Sequence, residues 1–267
     1  EAKFGFNQNT HRIAVGEPLG QFYGYITEGL YQVDDFNYDA STQTYTLKDG
    51  IPYHGDKSRI RPGMWKFKNL TGDDNVIDEN DKTVIGNAQP KFYGGLNNSF
   101  TYKGFDLSIF LTFSYGNEVL NVTKLVTSKV GSLNYNALDV MNSSNRWMTI
   151  NSDGEKVTGA LKAYKTLAAY HDAQQGDNYI HSWAVEDASY LKLSNVTLGY
   201  TFPKNLIARV GLKNLRLYAT GNNLLTWTKY SGFDPEVSTM KSGLTPGVDF
   251  GAYPLSRSFI FGLNVAF

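Results

Sequence analysis

In the closing stretch SRSFIFGLNVAF, Phe259, Phe261, Leu263, Val265 and Phe267 fall on one parity. Ser258, Ile260, Gly262, Asn264 and Ala266 fall on the other. A period of two means a β-strand with one apolar face and one small or polar face. In water such a strand is an open edge that invites aggregation. Against hydrocarbon, the same alternation is what a barrel wall requires.

The alternation recurs. In FDLSIFLTFSY, Phe105, Leu107, Ile109, Leu111, Phe113 and Tyr115 oppose Asp106, Ser108, Thr112 and Ser114, with Phe110 as the exception. The preceding run, KFYGGLNNSFTY, sets Phe92, Leu96, Phe100 and Tyr102 against Tyr93, Asn97, Ser99 and Thr101. Lys103-Gly104 between them is a hairpin signal. In YLKLSNVTLGYTF only the second half alternates, with Val196, Leu198, Tyr200 and Phe202 against Asn195, Thr197, Gly199 and Thr201. NLRLYATGNNLL sets Leu215, Leu217 and Ala219 against Asn214, Arg216, Tyr218 and Thr220. With a weaker strand in the opening residues to Ile13, about six spanning strands are expected. Their connections alternate between long and short, with long ones over about 16–90, 116–188 and 228–255. Outer-membrane barrels show this asymmetry, with short turns on the periplasmic side and long loops outside the cell. A soluble or surface carbohydrate-binding β-domain is the alternative, its apolar faces covered by a second protein layer.

Bulk properties narrow the classes. The 267 residues carry 25 Lys and Arg against 25 Asp and Glu, so no basic field suggests nucleic acid. The absence of cysteine excludes a disulfide scaffold and Cys-zinc sites. No apolar run reaches the length of a membrane helix, and mean hydropathy is −0.35. Neither observation speaks against a barrel, because only alternate residues of its strands face lipid. No charged n-region and apolar h-region open the chain, so a signal peptide is expected to lie outside it.

Five segments carry a resemblance. They are VGEPLGQFYGYITEGLYQ, DENDKTVIGNAQPKFYGGLNNSFTYKGFDLSIFLTFSYGNEV, YLKLSNVTLGYTFP, LRLYATGNNLLTWTKYSGFDPEV and DFGAYPLSRSFIFGLNVAF. Together they resemble, in order, the C-terminal portion of SusC/RagA-family TonB-dependent outer-membrane transporters. The resemblance implies an all-β, antiparallel transmembrane barrel wall, filled elsewhere by a plug. It implies energy supplied through TonB, a SusD-like lipoprotein lid, and oligosaccharide or peptide cargo. It also implies a terminal strand, Phe259 to Phe267, that both faces the lipid bilayer and signals to the barrel-assembly machinery. Plug and TonB-binding segment have no counterpart here, and six strands do not close a barrel. The chain is therefore expected to be one piece of a larger polypeptide.

Candidate sites are few. Asn69 to Lys82, NLTGDDNVIDENDK, resembles a calcium loop in which alternate oxygens converge on a hard cation. Asp73, Asp78 and Asp81 are the candidate Ca2+ ligands, with Ile77 as the packing residue. Asn69 and Thr71 stand where acidic ligands are expected, and the turn glycine is replaced by Asp74-Asn75. In the long connections, Trp147, Tyr179 and Trp183 are candidate contacts to cargo or lid, set against packing of the loops on themselves. Trp227 and Tyr230 are expected in the interfacial aromatic girdle. Arg216 is expected to point away from lipid. ALKAYKTLAAYHDA, residues 160–173, has helical spacing. The four histidines form no zinc-protease spacing, and no nucleophile elbow or P-loop occurs, so no enzyme is expected.

Overall fold

The computed structural model describes residues 2–4, 9–42, 44–72, 74–128, 138–142, 145, 147, 179–240 and 242–267. The residue 160–173 helix expectation lies outside them. The chain divides into two compact units. One comprises Glu1–Ala88, Leu120–Glu186 and Ser238–Gly251. The other comprises Gln89–Val119, Asp187–Val237 and Ala252–Phe267.

The second unit is built on one antiparallel sheet. Its strands are β1 (Phe92–Tyr102), β2 (Phe105–Tyr115), β3 (Tyr190–Thr201), β4 (Asn214–Thr228) and β5 (Ser258–Ala266), each paired with the next. At roughly 3.3 Å per residue, the eleven residues of β2 extend about 36 Å, enough to cross a hydrocarbon layer at a tilt. The β1–β2 turn is Lys103-Gly104, with φ of 47° and 89°. Two successive positive φ values match the twist of the flanking strands, which is why glycine serves at the second position.

Register fixes which side chains share a face. Phe105, Leu107 and Ile109 align with Tyr200, Leu198 and Val196, whereas Leu111 and Phe113 align with Leu193 and Leu191. A bulge at Ser194 flips the parity of β3 between these two sets. This explains why only the second half of the segment alternates in the sequence, although its whole apolar set lies on one face. Phe110 lies on the polar face, its ring over Gly95, where a Cβ would stand 3.1 Å from it.

The register also sorts the connections. Phe92 aligns with Tyr115, Ser114 with Tyr190, and Tyr190 with Thr228. The start of β1, end of β2, start of β3 and end of β4 thus meet at one end of the sheet, and β5 starts toward that same end, with Ser258 against Asn222. The Lys103-Gly104 turn and the segment from Phe202 to Lys213 lie at the other.

The expectation for the opening residues is corrected. Ala2–Phe4 and His11–Ile13 pair with each other, and His11–Ile13 pairs onward to Gln21–Gly24 and Thr83–Asn87, in a separate four-stranded sheet. Three residues are too short to cross a membrane. Among the described residues the large sheet therefore has five strands.

The first unit holds most of the 16–90 and 116–188 intervals, and the described residues of both pack into buried clusters. Phe22, Leu120, Leu125, Ile180, Ala184 and Val248 form one buried cluster. Tyr25, Leu30, Trp65, Phe67, Ile77 and Trp147 form a second, and Tyr31, Phe36, Leu47, Ile60 and Met64 a third. The strands between them run two to five residues. No periodicity can be read from elements as short as the strand Trp65–Phe67. Among the described residues, no helix is long and apolar enough to cross a membrane, which says nothing of a β-barrel.

Candidate functional site

One face of the sheet is apolar and exposed. Phe259, Phe261, Leu263 and Phe267 are 67%, 81%, 59% and 80% exposed, and Val265 stands with them. Phe100, Leu198 and Leu217 carry the same face across β1, β3 and β4. Aromatic rings bound it at both ends. Toward the short turns, the Phe105 and Tyr200 rings lie 4.5 Å apart. Toward the long connections, Phe92 stacks on Tyr115 at 5.0 Å, with Trp227 nearby in the sheet order. Trp227, expected in an interfacial girdle, is exposed. Tyr230 is not: it is buried with Val119, Ala188 and Val237, because the chain past the end of β4 folds back on the sheet's own rim.

The opposite face is polar and hydrogen-bonded across strands. Asn195 donates to Asn222 (2.7 Å) and Asn222 to Ser258 (3.0 Å), while Thr197 and Thr220 share a bond at 2.8 Å. Arg216 points to this face. Its Nε and Nη2 donate to the two carboxylate oxygens of Asp106, at 3.0 and 2.5 Å. The pair reaches from β4 to β2 over the intervening β3. It passes above Gly199, where a Cβ would lie 2.5 Å from both Arg216 Nη2 and Asp106 Oδ1. Sequence parity placed Asp106 and Arg216 on polar faces, but only the register of three strands shows that they meet. A second polar contact was also hidden by distance along the chain. Lys192, nearly buried on β3, meets Glu236 at 2.5 Å, and Glu236 also accepts from the Tyr190 hydroxyl at 2.6 Å. Burial opposes ionisation of Glu236, yet Lys192 and Tyr190 outweigh it and hold the carboxyl below its usual range.

Among the candidate cation ligands, Asp73 lies outside the described residues. Asp81 is fully buried. Its Oδ1 accepts from the Leu70 N–H (2.6 Å), the Thr71 N–H (2.8 Å) and the Thr71 hydroxyl (3.2 Å), and its Oδ2 from the Asp78 N–H (2.8 Å). Asp78 in turn accepts from the Asn80 backbone at 2.7 Å and side-chain amide at 3.1 Å. These two carboxylates do not fit a calcium cage, which needs oxygens turned toward one centre rather than toward N–H groups. Among the described residues, no three His, Asp or Glu groups converge to hold an ion. Asp81 instead ties the loop together. Burial raises its pKa, but the donors from Asp78, Leu70 and Thr71 win and leave it below the ordinary value. Its contribution is therefore complete above the unfolded value of about 4 and is lost as pH falls through the lower folded one. An Asp81→Asn substitution is expected to weaken the loop by about 2–3 kcal/mol, since an amide cannot accept from four donors. Limited proteolysis between Leu70 and Lys82 should show faster cutting at pH 7, and the acid dependence of the native loop should flatten.

The aromatic candidates are brought together inside the first unit. Trp147 is 2% exposed. Tyr179 packs edge-on against Tyr25 (5.2 Å) and His54 (5.5 Å). Trp183 lies 5.0 Å from Trp65, and the Lys124 ammonium stands 4.1 Å over its ring while pairing with Glu186 at 3.0 Å. The geometry makes these rings the packing of the unit. Trp147 seats on Gly63, whose φ is 85° and whose absent Cβ would lie 2.4 Å from the indole. Substitution Gly63→Ala is expected to displace Trp147 and cost about 2–4 kcal/mol by overpacking and backbone strain together. Rising fluorescence exposure of the tryptophans and a lowered first thermal transition would show it.

No family model matches the chain. Over 97% of its length it is 33% identical to the TonB-dependent receptor P3 of Formosa agariphila, and over 98% it is 31% identical to receptor P39 of the same organism. Over 72% it is 30% identical to the TonB-dependent receptor SusC of Bacteroides thetaiotaomicron. The chain belongs to the SusC/RagA family of TonB-dependent receptors. It spans about a quarter of the length of the relatives first matched, 23% of P3 and 26% of P39. Among solved structures, the RagAB peptide importer in its open-open state superposes with a TM-score of 0.63 at 20% identity, over 99% of this chain and 24% of that one. Its closed-closed state gives 0.58 over 92% of this chain. The fold is thus that of a segment of a SusC/RagA-type barrel protein. The relatives are named as receptors and the solved neighbours as importers, none as an enzyme.

Proposed function

We propose that this segment is the C-terminal part of the barrel wall, with its outer loops, of an outer-membrane importer for glycans or peptides. The importer is energised through TonB and works with a SusD-like lipoprotein over its mouth. The carrying observation is the sheet itself: strands of nine to fifteen residues, one exposed apolar face between two aromatic rows, and long connections gathered at one end. A soluble domain would have to cover that face with protein. In this reading the connections over 16–90, 116–188 and 228–255 are the extracellular loops. The alternation from Phe259 to Phe267 faces lipid and also serves as the assembly signal for the terminal strand. The likeness to the RagAB peptide importer supports the peptide class, and the glycan class rests on the family resemblance.

The test uses the whole native protein. It is expected to fractionate with outer membranes, to need detergent for release, and to carry a lipoprotein with it. Growth on at least one glycan or peptide nutrient should be lost both on deletion of its gene and on depletion of TonB. Recovery in the soluble fraction, or growth indifferent to TonB, would contradict the proposal.

A further inference from the structure

The end of the sheet opposite the long connections is basic. Lys103 lies in the β1–β2 turn, Lys204, Arg209 and Lys213 lie between β3 and β4, and all four are exposed. The two pieces adjoin, since the Thr201 N–H donates to the Gly104 carbonyl at 2.7 Å. Among the described residues, Asp106 is the one carboxylate side chain at this end, and Arg216 holds it. The four cations therefore have no counter-ion of the sheet's own. The segment between β3 and β4 is also amphipathic. It makes one α-turn, Lys204–Ile207, and one 3-10 turn, Ala208–Val210, and stops at Gly211, where φ is 76°. Ile207 is buried beneath it, whereas Leu206 and Val210, four residues apart, are 54% and 72% exposed. The Phe105 and Tyr200 rings that bound the apolar face stand at the same end. Tyr102 is exposed beside them, with the Lys103 ammonium 5.2 Å over its ring.

We propose that this end of the sheet sits in the interface of the leaflet on the short-turn side, with Leu206 and Val210 among acyl chains and Lys103, Lys204, Arg209 and Lys213 on the headgroups of anionic phospholipids. This rests on reading the sheet as a membrane wall. Charge complementarity selects the occupant. An anionic headgroup brings a phosphate and no cation, and a zwitterionic one brings an ammonium that four uncompensated cations repel. The exposed apolar pair argues for lipid over an acidic protein surface, because short amphipathic segments hold to an interface by apolar burial and attraction to anionic lipid together.

The test places a fluorescent label at Val210→Cys, and separately at Leu263→Cys, in the whole protein reconstituted in bilayers. Quenching is read with phosphatidylglycerol or phosphatidylcholine brominated on the acyl chains. The Leu263 label should be quenched equally by the two. The Val210 label should be quenched by both, with phosphatidylglycerol enriched about fivefold there, the weight of about one cation near an anionic surface. That enrichment should shrink in 1 M salt, through screening, and should vanish in the double variant Arg209→Glu, Lys213→Glu. Leu206→Ser should weaken quenching at Val210 by both lipids and leave the enrichment unchanged. Equal quenching by the two lipids at Val210, or an enrichment indifferent to salt and to charge reversal, would overturn the proposal. If the Val210 label escapes both lipids while the Leu263 label is quenched, the segment stands in water or against protein, and the proposal falls while the wall reading stands. If both labels escape, both fall.

Discussion

Phe261→Lys is expected to destabilise the membrane-inserted protein by about 2–4 kcal/mol, while Ile260→Lys, one residue away, costs about 1 kcal/mol or less. Phe261 aligns with Ala219 on the apolar face and is 81% exposed there. A lysine at that point near the middle of β5 must carry its ammonium into hydrocarbon or distort the strand to snorkel out. Ile260 aligns with Thr220 on the face where Thr197 and Thr220 share a hydrogen bond. A lysine there reaches polar groups and water. Folding yield into lipid vesicles and the urea midpoint of the refolded protein measure the difference. The contrast matters more than either value, because adjacent residues share propensity and strand position and differ only in face. Equal losses at the two positions would mean that no hydrocarbon covers the odd-numbered residues.

The second large effect is expected at Gly199. Its Cα is the floor beneath the Asp106–Arg216 pair, and a side chain there would stand 2.5 Å from Arg216 Nη2 and from Asp106 Oδ1, and 2.6 Å from Asp106 Oδ2. Valine at this position must push the two charges apart, leaving each partly desolvated and unpaired. The guanidinium and carboxylate are a quarter and a third exposed, so the loss is put at about 2–3 kcal/mol, below the figure for a fully buried pair. The assignment is checked by a cycle. In an Asp106→Asn, Arg216→Gln background, Gly199→Val should cost at most about 1 kcal/mol, since no ion pair remains to be broken. A cost that persists in full would assign the glycine to backbone geometry instead.

These positions show what could be read from the residues and what could not. The faces of β2, β5 and the Asn214–Asn222 part of β4 follow from alternation, because a two-residue period survives wherever a strand runs nine residues or more without interruption. β3 was half legible. The bulge at Ser194 reverses its parity, and nothing in YLKLSN marks a bulge until the neighbouring strands fix the register. Arg216 could be directed away from lipid on cost alone, but its partner Asp106 is 110 residues distant and reached over a third strand. Lys192 and Glu236 were hidden in the same way. The described strands of the 16–90 and 116–188 intervals run two to five residues, too short to show a period. Tyr230 misled because distance from a strand end does not say which way the chain turns. In the acidic loop the carboxylates have the spacing of ligands, and only the structure shows that the Asp81 lone pairs are taken by the N–H groups of Leu70, Thr71 and Asp78.

The most direct test of the membrane-wall account is the accessibility of spin labels placed singly at Leu107, Ser108, Leu263 and Asn264 in the whole protein reconstituted in bilayers. Labels at Leu107 and Leu263 are predicted to collide with oxygen dissolved in the lipid and to be shielded from a water-soluble nickel chelate. Labels at Ser108 and Asn264 are predicted to show much lower oxygen access. Loss of this alternation, with all four sites open to the chelate or with Leu107 and Leu263 shielded from both quenchers by a protein layer, would contradict it.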